Sequence, residues 1–207
     1  MQKRQLLSAI ACATLALTAS TAMAQDKFKI GLILPMTGPF ASTGKQIEAA
    51  ARLYMAQNGD MVAGKKVELI VKDDTSAADV TKRLAQEMVV NEKVSVLAGF
   101  GLTPLAFATA PIATQSKTPM VVMAAATSSI TQASPFIVRT SFTLPQAAVA
   151  IADWAPNNGI KKVVTLVADY GPGIDAEKFF KDRLLFNCGQ VLDSLRVPMR
   201  NPDFAPF

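Results

Sequence analysis

The sequence predicts an α/β fold in which mostly parallel strands are flanked by helices, and three observations predict it. Short apolar runs alternate with helical patterns from residue 28 to residue 197. The connecting helical stretches are about ten to fifteen residues long, the length a crossover between parallel strands needs. Half of the 207 residues are apolar, enough for a sizeable core.

The elements follow in order. Residues 28–34 (FKIGLIL) form an apolar run suited to a buried strand. Residues 45–57 place Ile47, Ala50, Ala51, Tyr54 and Met55 at helical spacing, and Asn58-Gly59 stops the pattern. Residues 67–71 make a second strand, ending at Lys72-Asp73-Asp74. Ser76 is placed to cap a helix whose inner stripe is Val80, Leu84 and Met88. A strand at 94–99, a helix at 105–114 and strands at 120–123 and 136–139 come next, with a crossing between lobes expected just beyond Arg139. A helix at 146–154, a strand at 163–168, a helix at 175–186 and a strand at 190–197 complete the series. In parallel sheets, ligands bind beyond the carboxyl ends of the strands, where helix N-termini present free N–H groups. The loops at 35–44, 99–104, 124–131 and 169–173 are therefore the candidate site. All four are rich in Gly, Ser, Thr or Ala.

The first 24 residues read as an export signal. Lys3 and Arg4 give a basic start, residues 6–17 a 12-residue apolar run, and Ala22-Met23-Ala24 a cleavage pattern before Gln25. The run is shorter than the roughly 20 residues a bilayer-spanning helix needs. A lipid anchor on Cys12 is disfavoured, because position 9 is Ala and Cys12 lies inside the run. The expected location is the periplasm, with cleavage after Ala24.

Composition limits the chemistry. There is no histidine, which removes the commonest general base and the commonest transition-metal ligand. Cleavage leaves Cys188 alone, so an internal disulfide is impossible in the mature chain and the expected state is a partly buried thiol. The basic residues are scattered and offer no nucleic-acid-binding patch. Gly38 and Gly44 imitate a phosphate loop, but five residues separate them rather than four, and Gln46 stands where a magnesium-binding hydroxyl belongs. Gly99-Phe-Gly101-Leu-Thr-Pro104 imitates a dinucleotide fingerprint but replaces its last glycine with proline. No cofactor or metal is expected, and catalysis is not expected.

Four segments in register, IGLILPMTGPFASTGKQ, AGFGLTPLAFATAPIA, PMVVMAAATSSIT and VADYGPG, resemble one family. It is the periplasmic solute-binding proteins of branched-chain amino acid-type ABC transporters, the leucine/isoleucine/valine-binding group with the periplasmic-binding-protein type I fold. The resemblance runs from about Phe28 to the end. It implies a two-lobed protein that closes on a small carboxylate and delivers it to ABC permease subunits, monomeric at full length. The implied division is a signal peptide at 1–24, a first lobe at 25–140 lacking its returning segment, and a partial second lobe at 141–207.

The resemblance also implies site residues. Thr43 falls where the family places a first-loop side chain over the ligand. Leu102 begins the loop that carries a carboxylate-binding hydroxyl; Thr103 and Pro104 lie nearest that position, and Thr103 is chosen because proline has no donor. Ala125 matches the position whose carbonyl takes a ligand ammonium, and Thr127 the one whose hydroxyl and amide take the carboxylate. Tyr170 matches a second-lobe tyrosine that packs on the ligand from the opposite side. The small Thr43 and the GLTPLA segment depart from strict leucine binders and resemble relatives that take aromatic or other organic carboxylates. The family's later tyrosine and ammonium-pairing acidic residue have no counterparts here, so the chain as given is expected to bind poorly.

Competing readings attach to the same residues. Thr127 and Ser128 also suit a helix cap, Tyr170 a turn aromatic, and Thr43 a surface loop. Arg139 and Arg196 read as solvated or ion-paired rim residues, and Asp73-Asp74 as helix capping rather than a metal pair. At the level of function, the alternatives are a ligand-sensing regulator of the same fold and, further off, an exported hydrolase. The latter lacks histidine and a G-x-S-x-G elbow.

Overall fold

The computed structural model describes residues 27–199 and 204–205; the expected signal peptide lies outside the described residues. Two sheets organise the chain. The first has six strands, β1 (Lys27–Leu34), β2 (Met61–Val62), β3 (Lys65–Asp73), β4 (Val96–Gly99), β5 (Met120–Val122) and β6 (Ile137–Arg139). Their order is β2-β3-β1-β4-β5-β6, parallel throughout except for β2. The second sheet pairs β7 (Lys162–Ala168) with β8 (Gln190–Val197), also in parallel.

Helices make the crossovers: α1 (Ala41–Asn58), α2 (Ala78–Val90), α3 (Thr103–Ser116), α4 (Leu144–Asn157) and α5 (Gly171–Phe186). The period-two alternation of β1 divides its side chains between two faces. Ile33 joins Leu84, Met88, Leu97 and Phe100 in the core beneath α2 and α3. Leu32 and Leu34 join Ala98 and the half-buried Ile47 on the face served by α1. The second sheet packs through Ala152, Ala155 and Leu184 of α4 and α5.

That second sheet has one uncovered face. Val164, Leu166 and Leu192 are all more than half exposed, although β7 and β8 are apolar strands. In the first sheet, Tyr54 of α1 is 68% exposed. A shallow concavity of about 320 Å³ lies beside it, lined by residues that include Ile30, Met55, Val67 and Leu69.

Several boundaries differ from the expected ones, and two bear on the site. Helix α1 begins at Ala41 and α5 at Gly171, each four residues before its expected start. Pro172 explains the second case: proline is favoured in a first turn, where its missing N–H has no intrahelical partner to lose. The Gly-Pro-Gly run is thus helix rather than loop. Strand β2 is too short to show as a period. It pairs with Lys65 and Lys66 through a turn at Ala63 and Gly64, both at positive φ. Ser76 does not cap α2. Ala77 is the N-cap, the Ser76 hydroxyl is buried without a hydrogen-bond partner among the described residues, and its N–H donates to Asp74 Oδ1 at 2.9 Å.

Candidate functional site

Four of the strand ends converge where the sequence places the site. After β4, Gly99 takes φ +112°, and a Cβ there would lie 2.1 Å from the Ile33 carbonyl oxygen. Only glycine lets the β4–α3 loop pass this close to β1. Leu102 is then the N-cap of α3 and Thr103 its first residue. After β5, the chain passes Ala125, whose N–H donates to the Phe100 carbonyl at 3.0 Å, and enters a single 3₁₀ turn at Ser128–Gln132.

The two loops meet through Thr103 and Thr127. Their hydroxyl oxygens are 2.8 Å apart, and the residues are 3% and 6% exposed. Thr127 stands at the N-cap of the 3₁₀ turn but makes no side-chain capping bond. Its hydroxyl is turned to Thr103 instead, so the capping alternative fails for the side chain. Each hydroxyl keeps further hydrogen-bonding capacity beyond this single bond.

The start of α5 approaches the same point. Tyr170 is the N-cap of α5 and is half-buried; burial pushes its phenol pKa up. A Cβ added to Gly171 would lie 3.1 Å from Thr103 Cγ2 and 3.4 Å from Thr127 Oγ1. The first turn of α5 therefore abuts the threonine pair.

The remaining expected residues are more loosely tied to this cluster. Thr43 lies in the first turn of α1, half-buried, its N–H donating to the Phe40 carbonyl at 3.1 Å. No side-chain hydrogen bond joins it to Thr103 or Thr127 among the described residues. The loop before it is fixed by Asp73, which accepts from Met36 N–H at 2.9 Å, Thr37 Oγ1 at 2.6 Å and Thr75 N–H at 2.9 Å. Burial works to raise the Asp73 pKa, but these hydrogen bonds outweigh it and hold the carboxyl below its usual range. Asp73 thus anchors the first loop rather than capping α2.

Sequence reasoning missed the parts played by two residues, Arg139 and Asp175. Arg139, expected as a solvated or ion-paired rim residue, is half-buried beneath the Thr127 turn and donates from Nη2 to the Thr127 carbonyl at 2.6 Å. Burial lowers its pKa, and the Asp175 charge opposes that shift. Asp175, on α5, accepts from Ser128 N–H at 2.8 Å and Ser128 Oγ at 2.7 Å. An Arg at a strand end and an Asp inside a helix carry no sequence signal of mutual approach, because the fold brings them together. Arg196 is ion-paired: it binds Glu177 Oε2 at 2.6 Å, in keeping with its expected rim role.

A family model described as "Periplasmic binding protein" matches residues 27–207. The chain is 46% identical over 206 residues to the Leu/Ile/Val-binding protein homolog 6 of Brucella abortus (strain 2308), an alignment covering 99% of this chain and 52% of that one. Among solved structures, it is similar to an ABC-transporter solute-binding protein of Rhodopseudomonas palustris BisB5 in complex with 3,4-dihydroxybenzoic acid. The identity there is 61% and the TM-score 0.85, over 88% of this chain and 50% of the other. A counterpart from Rhodopseudomonas palustris HaA2, in complex with p-hydroxybenzoic acid, is 47% identical with a TM-score of 0.85, over 87% and 50% of the two chains. The chain thus spans about half the length of the relatives it matches. The relatives are binding proteins of ABC transporters, which are not enzymes. The order of strands, the loops at their carboxyl ends and these matches agree: the chain belongs to the periplasmic binding protein family.

Proposed function

We propose that this chain carries the first-lobe donors and the opening turn of the second lobe of a solute-binding site for a small aromatic carboxylate. In this reading, the ligand is passed on to an ABC permease. The observation that carries the reading is the Thr103–Thr127 hydroxyl pair, 2.8 Å apart at the strand ends and faced by the first turn of α5. Hydroxyls and helix-terminal N–H groups suit a carboxylate.

Two considerations favour an aromatic over an aliphatic amino acid. An amino acid brings an ammonium group, which needs an acceptor or a carboxylate when buried. Asp175, the carboxylate at this cluster, is engaged by Ser128 on both oxygens. A hydroxybenzoate has no ammonium and makes no such demand. The structure at 61% identity is a complex with 3,4-dihydroxybenzoic acid, and the one at 47% a complex with p-hydroxybenzoic acid. In the proposed site, Thr103 and Thr127 hold the carboxylate, Leu102 and Tyr170 flank the ring, Thr43 leaves room for it, and the Ala125 carbonyl accepts from a ring hydroxyl. Export to the periplasm, with cleavage after Ala24, belongs to the same reading; the intact mass of periplasmic protein checks it, with Gln25 as the expected first residue.

A thermal-shift screen on a full-length version tests the ligand class. 4-Hydroxybenzoate, 3,4-dihydroxybenzoate and benzoate are set against leucine, isoleucine and valine. Larger stabilisation by the aromatic acids is the expected result. Stabilisation by the aliphatic amino acids alone would return the ligand class to the Leu/Ile/Val type.

A further inference from the structure

We propose that Asp175 is a positioning residue of the binding site, a latch that holds the second lobe closed over the Thr103–Thr127 pair. Its carboxylate crosses from α5 to the 3₁₀ turn of the first lobe and accepts two hydrogen bonds from one residue, Ser128 N–H at 2.8 Å and Ser128 Oγ at 2.7 Å. Both are charge-assisted, and the pair is forked, so it fixes orientation as well as distance.

The first lobe supplies the matching charge. Arg139 lies on the other side of the same turn and donates from Nη2 to the Thr127 carbonyl at 2.6 Å, with a longer approach to the Ser128 carbonyl at 3.5 Å. Its Nε and Nη1 are buried without a hydrogen-bond partner among the described residues. A guanidinium left this underused is costly in a low-dielectric setting unless a negative charge stands nearby. Asp175 is that charge. The turn at Thr127-Ser128 is thereby polarised from both sides: its carbonyls face the cation and its N–H faces the anion.

The latch sits beside the closest approach of the lobes, where Gly171 leaves no room for a side chain against Thr103 and Thr127. Closure and positioning of the threonine hydroxyls are then one event. Breaking the Asp175 bonds lets α5 swing away and frees Thr127 from its held geometry. A contact that spans the two lobes also slows ligand escape from between them.

The test uses spin labels at the exposed positions Arg83 of α2 and Asp182 of α5, introduced as Arg83→Cys and Asp182→Cys in a Cys12→Ser/Cys188→Ser background of the full chain. Electron–electron resonance distances between the lobes are compared for the labelled parent, Asp175→Ala, Ser128→Ala and the double variant. Both single variants are expected to shift toward longer distances, and the double variant to match Asp175→Ala. Ser128→Ala removes only one of the two hydrogen bonds and keeps the measurement informative should Asp175→Ala unfold. The second readout, dissociation of 4-hydroxybenzoate, rests on the ligand reading above and should be about tenfold faster or more in Asp175→Ala. Unchanged distances in the folded variants overturn the latch. A full-length version that binds no hydroxybenzoate overturns the ligand reading alone, and the distances still decide the latch.

Discussion

The Thr103 hydroxyl and the Thr127 hydroxyl lie 2.8 Å apart across two loops that start from neighbouring strands, β4 and β5. The bond adds to the Ala125 N–H to Phe100 carbonyl bond that joins the same loops, and both threonines are buried where water does not replace a lost partner.

Thr127→Val therefore has two separable effects. It strips the Thr103 hydroxyl of its partner, at about 1–3 kcal/mol of stability, and it removes one hydrogen bond to the bound carboxylate. Carboxylate affinity is expected to fall about tenfold to 150-fold. Thr103→Val/Thr127→Val should cost less stability than the two single changes summed, since no unpaired hydroxyl remains. Urea titrations paired with calorimetry separate the effects; unchanged affinity in folded Thr127→Val would move the site elsewhere.

Asp74 gives a pH signature. It is fully buried, and burial pushes its pKa up from 3.8 to about 6, against the pull of the Ser76 N–H and with help from the neighbouring Asp73 charge. A raised carboxyl pKa means that the folded chain prefers the protonated form. The Asp74 contribution is most favourable below the unfolded value and declines as pH rises toward 6. Asp73 runs the other way: its lowered pKa gives stability above its unfolded value that is lost as pH falls. Asp74→Asn isolates the first effect. The difference in unfolding free energy between Asp74→Asn and the parent chain should grow in favour of the variant from pH 4 to pH 7, reaching about 1–3 kcal/mol. A difference that stays flat over that range would contradict it.

Glu177 is 3% exposed in the second lobe, held by Lys181 at 2.9 Å and Arg196 at 2.6 Å. Burial alone would raise its pKa, but these two cations outweigh burial and the net shift is downward. Its stabilisation is therefore present above the unfolded carboxyl pKa and disappears as pH falls below it. Glu177→Gln keeps the shape and removes the charge. A loss of about 1–3 kcal/mol at pH 7, shrinking toward zero below pH 4, is expected from chemical denaturation at a series of pH values. An equal loss at both ends would make the residue's role one of packing alone.

The alternation of apolar runs and helical stripes made the sheet and its helices legible, because period-two and 3.6-residue patterns record burial directly. Thr103, Thr127 and Tyr170 were singled out as candidates from the loops at strand ends together with family resemblance, but the hydrogen bond between the two threonines was not foreseen. The helical character of Gly171, Pro172 and Gly173 was not, since their local signals are those of a turn. Arg139 and Asp175 were hidden for a different reason. They lie 36 positions apart in sequence, and only the approach of the two lobes places one on each side of the Thr127 turn.

Exposed apolar faces predict self-association. Val164, Leu166 and Leu192 on one sheet, with Leu53 and Tyr54 on α1, present large apolar side chains to water. Such surfaces promote association. Sedimentation velocity should show a concentration-dependent shift, and Val164→Thr/Leu166→Thr should reduce it. A single ideal species at all concentrations would show that these faces are inert.

The most direct test of the proposed site is an amide chemical-shift titration of a full-length version of the chain with 4-hydroxybenzoate. Saturable shifts should appear at Leu102, Thr103, Thr127 and Gly171, and should vanish in Thr103→Val/Thr127→Val while the rest of the spectrum is preserved. Leucine at the same concentrations should produce smaller shifts. Saturable shifts confined to other parts of the chain, or shifts that survive the double variant unchanged, would contradict a carboxylate site built on these two threonines.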